Sequence, residues 1–267
     1  MQGDENNFFY TLPVAGKTGD YRIGFFGDPG SLSTLQRQVR DQFEKYIDNK
    51  ELNALVILGD IAYNHGLDAE YQAKFFNVYK DLLKKYALFT TPGNHDYHDD
   101  DEKHVFFHQN DLEYFQDFSL PVNGESGGVP SHNPAYYSMD IGNIHLLFLD
   151  SFGAADSTFL RDPGSVQMQW MKKDLEANKN KEWLIVCTHF PPYTMGSHNS
   201  DGQFRLYKIR ENILPILEKY GVDLFIAGHS HLYERSRLME NNYGKENTFD
   251  STVNDLSFSS GLYDGSK

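Results

Sequence analysis

The stretch ALVILGDIAY, residues 54–63, opens with five aliphatic residues in a row and leads into a Gly-Asp step. An apolar run with no polar alternate is the pattern of a strand covered on both faces, in a sheet that carries layers above and below it. The flanking segments have a different period. STLQRQVRDQFEKYIDNK (33–50) before it and AEYQAKFFNVYKDLLKKY (69–86) after it repeat their apolar residues at helical spacing. Further outward, strands are expected at 21–28, 87–93, 135–140, 143–150, 183–189 and 222–229, and helices at 166–179 and 206–220. Strands alternating with helices make an α/β domain.

A chain of 267 residues suffices for one large domain or two small ones, and 39% hydrophobic residues with 15% aromatics fill a substantial core. Lysine and arginine total 24 against 38 acidic residues, a formal charge of -14, and no basic stripe follows a phosphate backbone. That balance argues against sequence-specific nucleic acid as a partner. No apolar run approaches the roughly 20 residues that span a bilayer. Cys187, the only cysteine, lies inside WLIVC (183–187), where it is expected to pack as a small hydrophobe. The amino end, MQGDENNFFY, shows no basic segment followed by an apolar core, so it carries no recognisable signal peptide.

Ligands of open α/β sheets sit beyond the carboxyl ends of the strands, and there the polar residues collect. Asp28 ends the first strand and Asp60 the second; Asn94 and His95 follow the third; His189 ends the sixth; His229 and His231, in GHSH (228–231), end the seventh. Residues two apart in an extended segment project to one side, so both of these last histidines can face one cleft. Glycine before each aspartate, in GDPG (27–30) and GDIAY (59–63), lets the backbone turn sharply and leaves the carboxylate open. Tyr63 follows Asp60 by three residues and reaches the same cleft if the chain turns helically; packing at the sheet edge is the other reading. Asp28, Asp60, Tyr63, Asn94, His189, His229 and His231 are more donors than a tetrahedral zinc takes. Two ions sharing Asp60 as a bridge would use them all, at the spacing of about 3.5–4 Å that serves in-line phosphoryl displacement.

Other histidines carry less. The insertion from Tyr97 to Pro134, which opens on DDDE (99–102), reads as an active-site rim or a solvated surface loop. His104 and His108 within it have helical spacing, suited to a further site or to plain surface. His145 reads as a satisfied core histidine, His65 as at most a support behind the site, and His98 and His132 as loop residues.

Five blocks in order, GDPG, GDIAY, GNHD (93–96), THFPPY (188–193) and GHSHLYER (228–235), resemble the motif blocks of the purple acid phosphatases, within the metallophosphoesterase, calcineurin-like superfamily. Many members of that superfamily carry Asp-x-His in the first block; Asp28-Pro29-Gly30 together with Tyr63 marks the purple branch. The resemblance spans residues 21 to 236. It implies a four-layer αββα sandwich of two mixed sheets flanked by helices. Residues 20–267 would be the catalytic domain, truncated at its carboxyl end, and residues 1–19, with FFYTLP (8–13) as a last strand, the remnant of a preceding fibronectin-like domain. It also implies that Asp28, Tyr63 and His231 hold a first metal and Asn94, His189 and His229 a second, with Asp60 bridging.

Iron(III) suits the first site, where two carboxylates and a phenolate bring roughly three negative charges. Zinc, iron(II) or manganese suits the second. Such a cluster is locally cationic and draws a small phosphorylated substrate to an acidic chain. The implied reaction is that of an acid phosphatase acting on phosphomonoesters. A metal-bound hydroxide attacks phosphorus, His95 orients the phosphate and His198 is the leading general acid. A phosphodiesterase or nucleotide hydrolase with the same centre is one alternative, and a non-catalytic module retaining the fold another. Export to a periplasm or to the outside is expected from the family, and the sequence carries no signal for oligomeric state.

Overall fold

A computed structural model describes residues 8–48, 50, 52–98, 111–153 and 159–256. All seven expected strands form. β1 (Ile23–Phe26), β2 (Ala54–Leu58) and β3 (Leu88–Thr91) make a parallel sheet in that order. β4 (Tyr137–Ile141), β5 (Ile144–Phe148), β6 (Trp183–Thr188) and β7 (Leu224–Ala227) make a second sheet, mixed because β4 runs antiparallel to β5.

The alternation of side chains along β2 explains the layers. Leu55 and Ile57 point into a core shared with α1 (Thr34–Ile47) and with the helix formed by α2 (Asp68–Tyr71), a π turn (Gln72–Phe76) and α3 (Asn77–Leu83). Ala54, Val56 and Leu58 point the other way, into a core that also contains Met139, Leu146, Phe148, Ile185 and Cys187 of the second sheet. β2 is buried along its whole length because it has a layer on each face. On the far side Leu147 and Val186 meet α5 (Val166–Asn178) and α6 (Phe204–Asn212) in a third core. Three cores between four layers give the αββα sandwich.

Local chemistry sets the helix ends. Ser33 and Ser165 cap α1 and α5, their hydroxyls accepting from Gln36 N and Met168 N at 3.1 Å. The single helix expected over 206–220 is two, α6 and α7 (Leu214–Lys219), after α4 (Glu113–Asp117) and before a short α8 (Ser251–Asn254). Pro215 lacks the N–H that would continue α6 and instead sits in the first turn of α7.

The 97–134 insertion is only partly rim. Leu112 and Tyr114 are fully buried, and the Tyr114 hydroxyl lies 2.7 Å from Thr90 Oγ1 of β3, so this part belongs to the core. The acidic run 99–102, His104 and His108 lie outside the described residues. Residues 8–13 form no strand; Tyr10 N donates to Lys85 O at 2.8 Å and its ring stacks on Tyr86. Among the described residues no helix is long and apolar enough to cross a membrane.

Candidate metal centre

The carboxyl ends of β1, β2 and β3 in one sheet and of β6 and β7 in the other meet along a single seam. Glycines make the approach possible. A Cβ on Gly228 would stand 2.6 Å from Leu58 O, and one on Gly93 would stand 2.2 Å from Asp60 Oδ1. At those distances only hydrogen fits.

Asp28 and Asp60 leave their strands with φ of 55° and 50°, and His229 and His231 have φ of 73° and 55°. The GHSH segment is therefore a turn, not the extended chain expected from its spacing. The left-handed backbone sends the two imidazoles to different partners. Asp60, His189 and His229 bring donor atoms within 4.8 Å of one another, and so, separately, do Asp28, Asp60 and His231. Asp60 belongs to both groups.

Tyr63 and Asn94 complete the two sets. The Tyr63 hydroxyl donates to Asp28 Oδ1 at 3.0 Å and to Asp60 Oδ2 at 3.1 Å, and lies 2.8 Å from His231 Nε2. Asn94 Oδ1 is 3.0 Å from His189 Nε2, and that nitrogen is 3.3 Å from Asp60 Oδ2. His189 Nδ1 donates to Leu58 O at 2.8 Å, which leaves Nε2 as the atom aimed at the centre. Of the seven expected donors the structure brings all seven together. The group of Asp60, His189 and His229 is dry, with His189 fully buried and His229 9% exposed, whereas His231 stands open to solvent.

Burial alone would raise the Asp60 carboxyl, but the His189 imidazole beside it holds it below its ordinary range. Burial would lower His189, yet Asp60 outweighs it and pushes the imidazole up, so a proton on His189 supplies the positive charge. Burial and then His189 and His198 depress His229 to about 2, leaving a neutral imidazole. Burial together with Asp28 and Asp60 pushes the Tyr63 phenol far above its usual value. Oxygen donors crowd one another and imidazoles stand neutral or proton-compensated, a donor set that fits two cations sharing Asp60.

Two histidines flank the donors. His95 N donates to Asp60 Oδ1 at 2.9 Å, and Nδ1 is 2.6 Å from Asn64 O, so Nε2 faces the centre, 3.9 Å from Asp60 Oδ2. His198 lies over His229 with ring centroids 3.7 Å apart. His65 contributes only its backbone N–H, to Glu70. His145 is buried between two carboxylates on β4 and α5, away from the seam, as a core histidine.

Two supports were not foreseen. Asp96 is buried and accepts from Gly93 N at 2.8 Å, Ile61 N at 3.1 Å and the Tyr71 hydroxyl at 2.8 Å, tying the loops after β2 and β3 together; burial and nearby Asp60 push its carboxyl up to about 7. Gln203 contacts His198. Asp96 had the signal of a polar residue inside the GNHD block; Gln203, ten residues beyond THFPPY, had none.

A family model described as calcineurin-like phosphoesterase matches residues 21–233. The chain is 28% identical over 258 residues to a protein of Arabidopsis thaliana named probable inactive purple acid phosphatase 9, covering 90% of this chain and 38% of that one. It is 29% identical over 251 residues to acid phosphatase type 7 of Homo sapiens, covering 88% of this chain and 51% of that one. The chain thus spans about half the length, or less, of these relatives. In fold it is similar to a purple acid phosphatase from yellow lupin seeds, with TM-score 0.63 and 20% identity over 86% of this chain and 41% of that chain. A Plasmodium protein described as the anchor in the inner membrane complex shares the fold at TM-score 0.54 and 19% identity, over 84% of this chain and 69% of that chain.

Proposed function

The chain belongs to the calcineurin-like phosphoesterase family, and on that premise we propose that it is a di-metal phosphoester hydrolase, an acid phosphatase acting on phosphomonoesters. The observation that carries this reading is Asp60, whose carboxylate is common to two donor groups. Asp28, Tyr63 and His231 would hold iron(III), the hard trivalent ion that three anionic oxygens favour. Asn94, His189 and His229 would hold a divalent ion, zinc, iron(II) or manganese, with Asp60 between the two. When bound, the pair supplies Lewis acidity that lowers the pKa of water and offsets charge growing on phosphoryl oxygens.

The remaining work falls to side chains. His95, tied at Nδ1 to Asn64 O, turns Nε2 toward a phosphate oxygen. His198, above His229, is placed to give a proton to the departing oxygen. Hydrolysis outside the cytosol, as the family resemblance implies, is part of the same proposal. A non-catalytic role is the second reading, because one relative at 28% identity bears the word inactive in its name.

The test is elemental analysis and a visible spectrum of the purified chain after loading with iron and zinc, with turnover of p-nitrophenyl phosphate against its bis-ester. Two metals per chain, a tyrosinate-to-iron(III) band lost in Tyr63→Phe, and faster monoester turnover are expected. Preference for the bis-ester would make it a phosphodiesterase. Two metals without turnover would support the non-catalytic role, and a chain that takes up no metal would end the reading.

A further inference from the structure

Gln203 Nε2 lies 2.9 Å from His198 Nδ1. An amide has a donor at one end and an acceptor at the other, so Gln203 engages Nδ1 whether or not that nitrogen carries a proton, and Nε2 is the ring atom left for a substrate. The stack on His229, with planes 23° apart, fixes the tilt of the ring; the amide fixes its rotation. Gln203 is itself anchored. It stands at the amino end of α6, where its N–H donates to Asn199 O at 2.9 Å and its carbonyl accepts from Tyr207 N at 3.1 Å. Asn199 Oδ1 closes the preceding turn by accepting from Asp201 N and Gly202 N, each at 2.9 Å. Asp201 is paired with Arg210, whose side chain is 2% exposed. A buried arginine, a closed turn and an amide thus form an unbroken line of support to one imidazole.

We propose that Gln203 is a positioning residue that keeps His198 Nδ1 engaged and Nε2–H turned to the metal centre, toward the leaving-group oxygen. This rests on the phosphoester-hydrolase reading above. In the step it serves, a hydroxide derived from water forms the new P–O bond. The old P–O bond breaks with its electron pair on the leaving oxygen, which takes the Nε2 proton of the cationic ring. With the ring cationic the amide turns end for end and Oε1 accepts from Nδ1–H, so Nε2 faces the centre in either charge state. After transfer the ring is neutral and regains its second proton from solvent. A phenolate departs with little help, whereas an alkoxide needs the proton, so dependence on the leaving group reports the positioning.

The experiment compares wild type, Gln203→Leu and Gln203→Glu, metal-loaded, on p-nitrophenyl phosphate and on glycerol 2-phosphate. Gln203→Leu is expected to lower kcat/KM about 10- to 100-fold on the alkyl ester and less than about threefold on the aryl ester. Gln203→Glu, which keeps an acceptor at Nδ1, retains most alkyl-ester turnover. Equal losses on both esters, or none, would overturn the proposal. A second measurement is independent of turnover: nitrogen-15 NMR of histidine-labelled, zinc-loaded protein, with the ring neutral. It should show the His198 Nδ1 resonance shifted in Gln203→Leu, where the hydrogen bond at that nitrogen is lost. A His198 Nδ1 resonance that the substitution leaves unchanged also overturns it. Wild type inert on both esters would sink the hydrolase reading, and the nitrogen-15 measurement would then decide for Gln203 alone.

Discussion

Asp60 accepts from the His95 backbone on one oxygen and from Tyr63 on the other, and the second oxygen also lies near His189 Nε2. Neutralising it by Asp60→Asn removes the shared anion, so both ions are expected to be lost on dialysis, each with affinity lowered at least about 100-fold. Asn94→Ala should release the second ion and keep the first. Elemental analysis decides, and an Asp60→Asn chain that still holds one ion would mean the two sites are separate. Six of the seven candidate donors were legible as polar residues at or just beyond a strand end inside a short block, whereas Tyr63 was open to a packing reading that only the family resemblance outweighed. Asp96 and Gln203 were not legible, since the worth of each lies in a partner that only folding supplies: Ile61 N stands 35 residues from Asp96. The turn at GHSH was also hidden, because spacing alone says nothing of the sign of φ.

Among the elements, β4, β5 and α5 are joined by one buried histidine. His145 Nδ1 meets Asp140 Oδ1 and Nε2 meets Asp174 Oδ2, both at 2.7 Å, and Lys181 Nζ reaches Asp140 Oδ2 at 2.5 Å. Burial would lower His145, but its hydrogen bonds to the two carboxylates outweigh burial and raise it above its ordinary 6.5. Burial would raise Asp140, but His145 and Lys181 hold it below its ordinary 3.8. The histidine contribution is full below pH 6.5 and lost as pH rises through its folded value; the aspartate contribution is full above pH 3.8 and lost as pH falls through its own. The clasp is complete in mildly acidic solution. The thermal midpoint should therefore fall as pH rises past about 6.5. His145→Gln should cost about 3–5 kcal/mol and flatten that dependence; a profile as steep as the wild type's would refute the clasp. The elements themselves were legible from period and apolar runs, and the miss at α6 and α7 came from extending a helical period through Pro215.

At the scale of the whole molecule, each candidate ion draws donors from both sheets, so the centre exists only when the sheets are docked. The division into three and four strands was beyond the sequence, because a doubly covered strand reads the same in either sheet. Metal removal should lower the thermal midpoint, since binding to the folded form alone adds about 3–4 kcal/mol at 100 to 1,000 times Kd. Gly228→Ala should lower the midpoint by several degrees, an overpacking cost of about 1–3 kcal/mol, and reduce metal uptake with it. Unchanged uptake in Gly228→Ala would show that the seam tolerates opening.

The left-handed backbone at Asp28, Asp60, His229 and His231 also bears on the history of such chains. Non-glycine residues held there cost on the order of 1–3 kcal/mol each, and glycine relieves that cost at the price of the donor. Selection for metal would keep a side chain at these positions. In a lineage released from catalysis, drift should reach these four positions before the sheet cores, and glycine or asparagine there would date the loss of activity earlier than any change in fold.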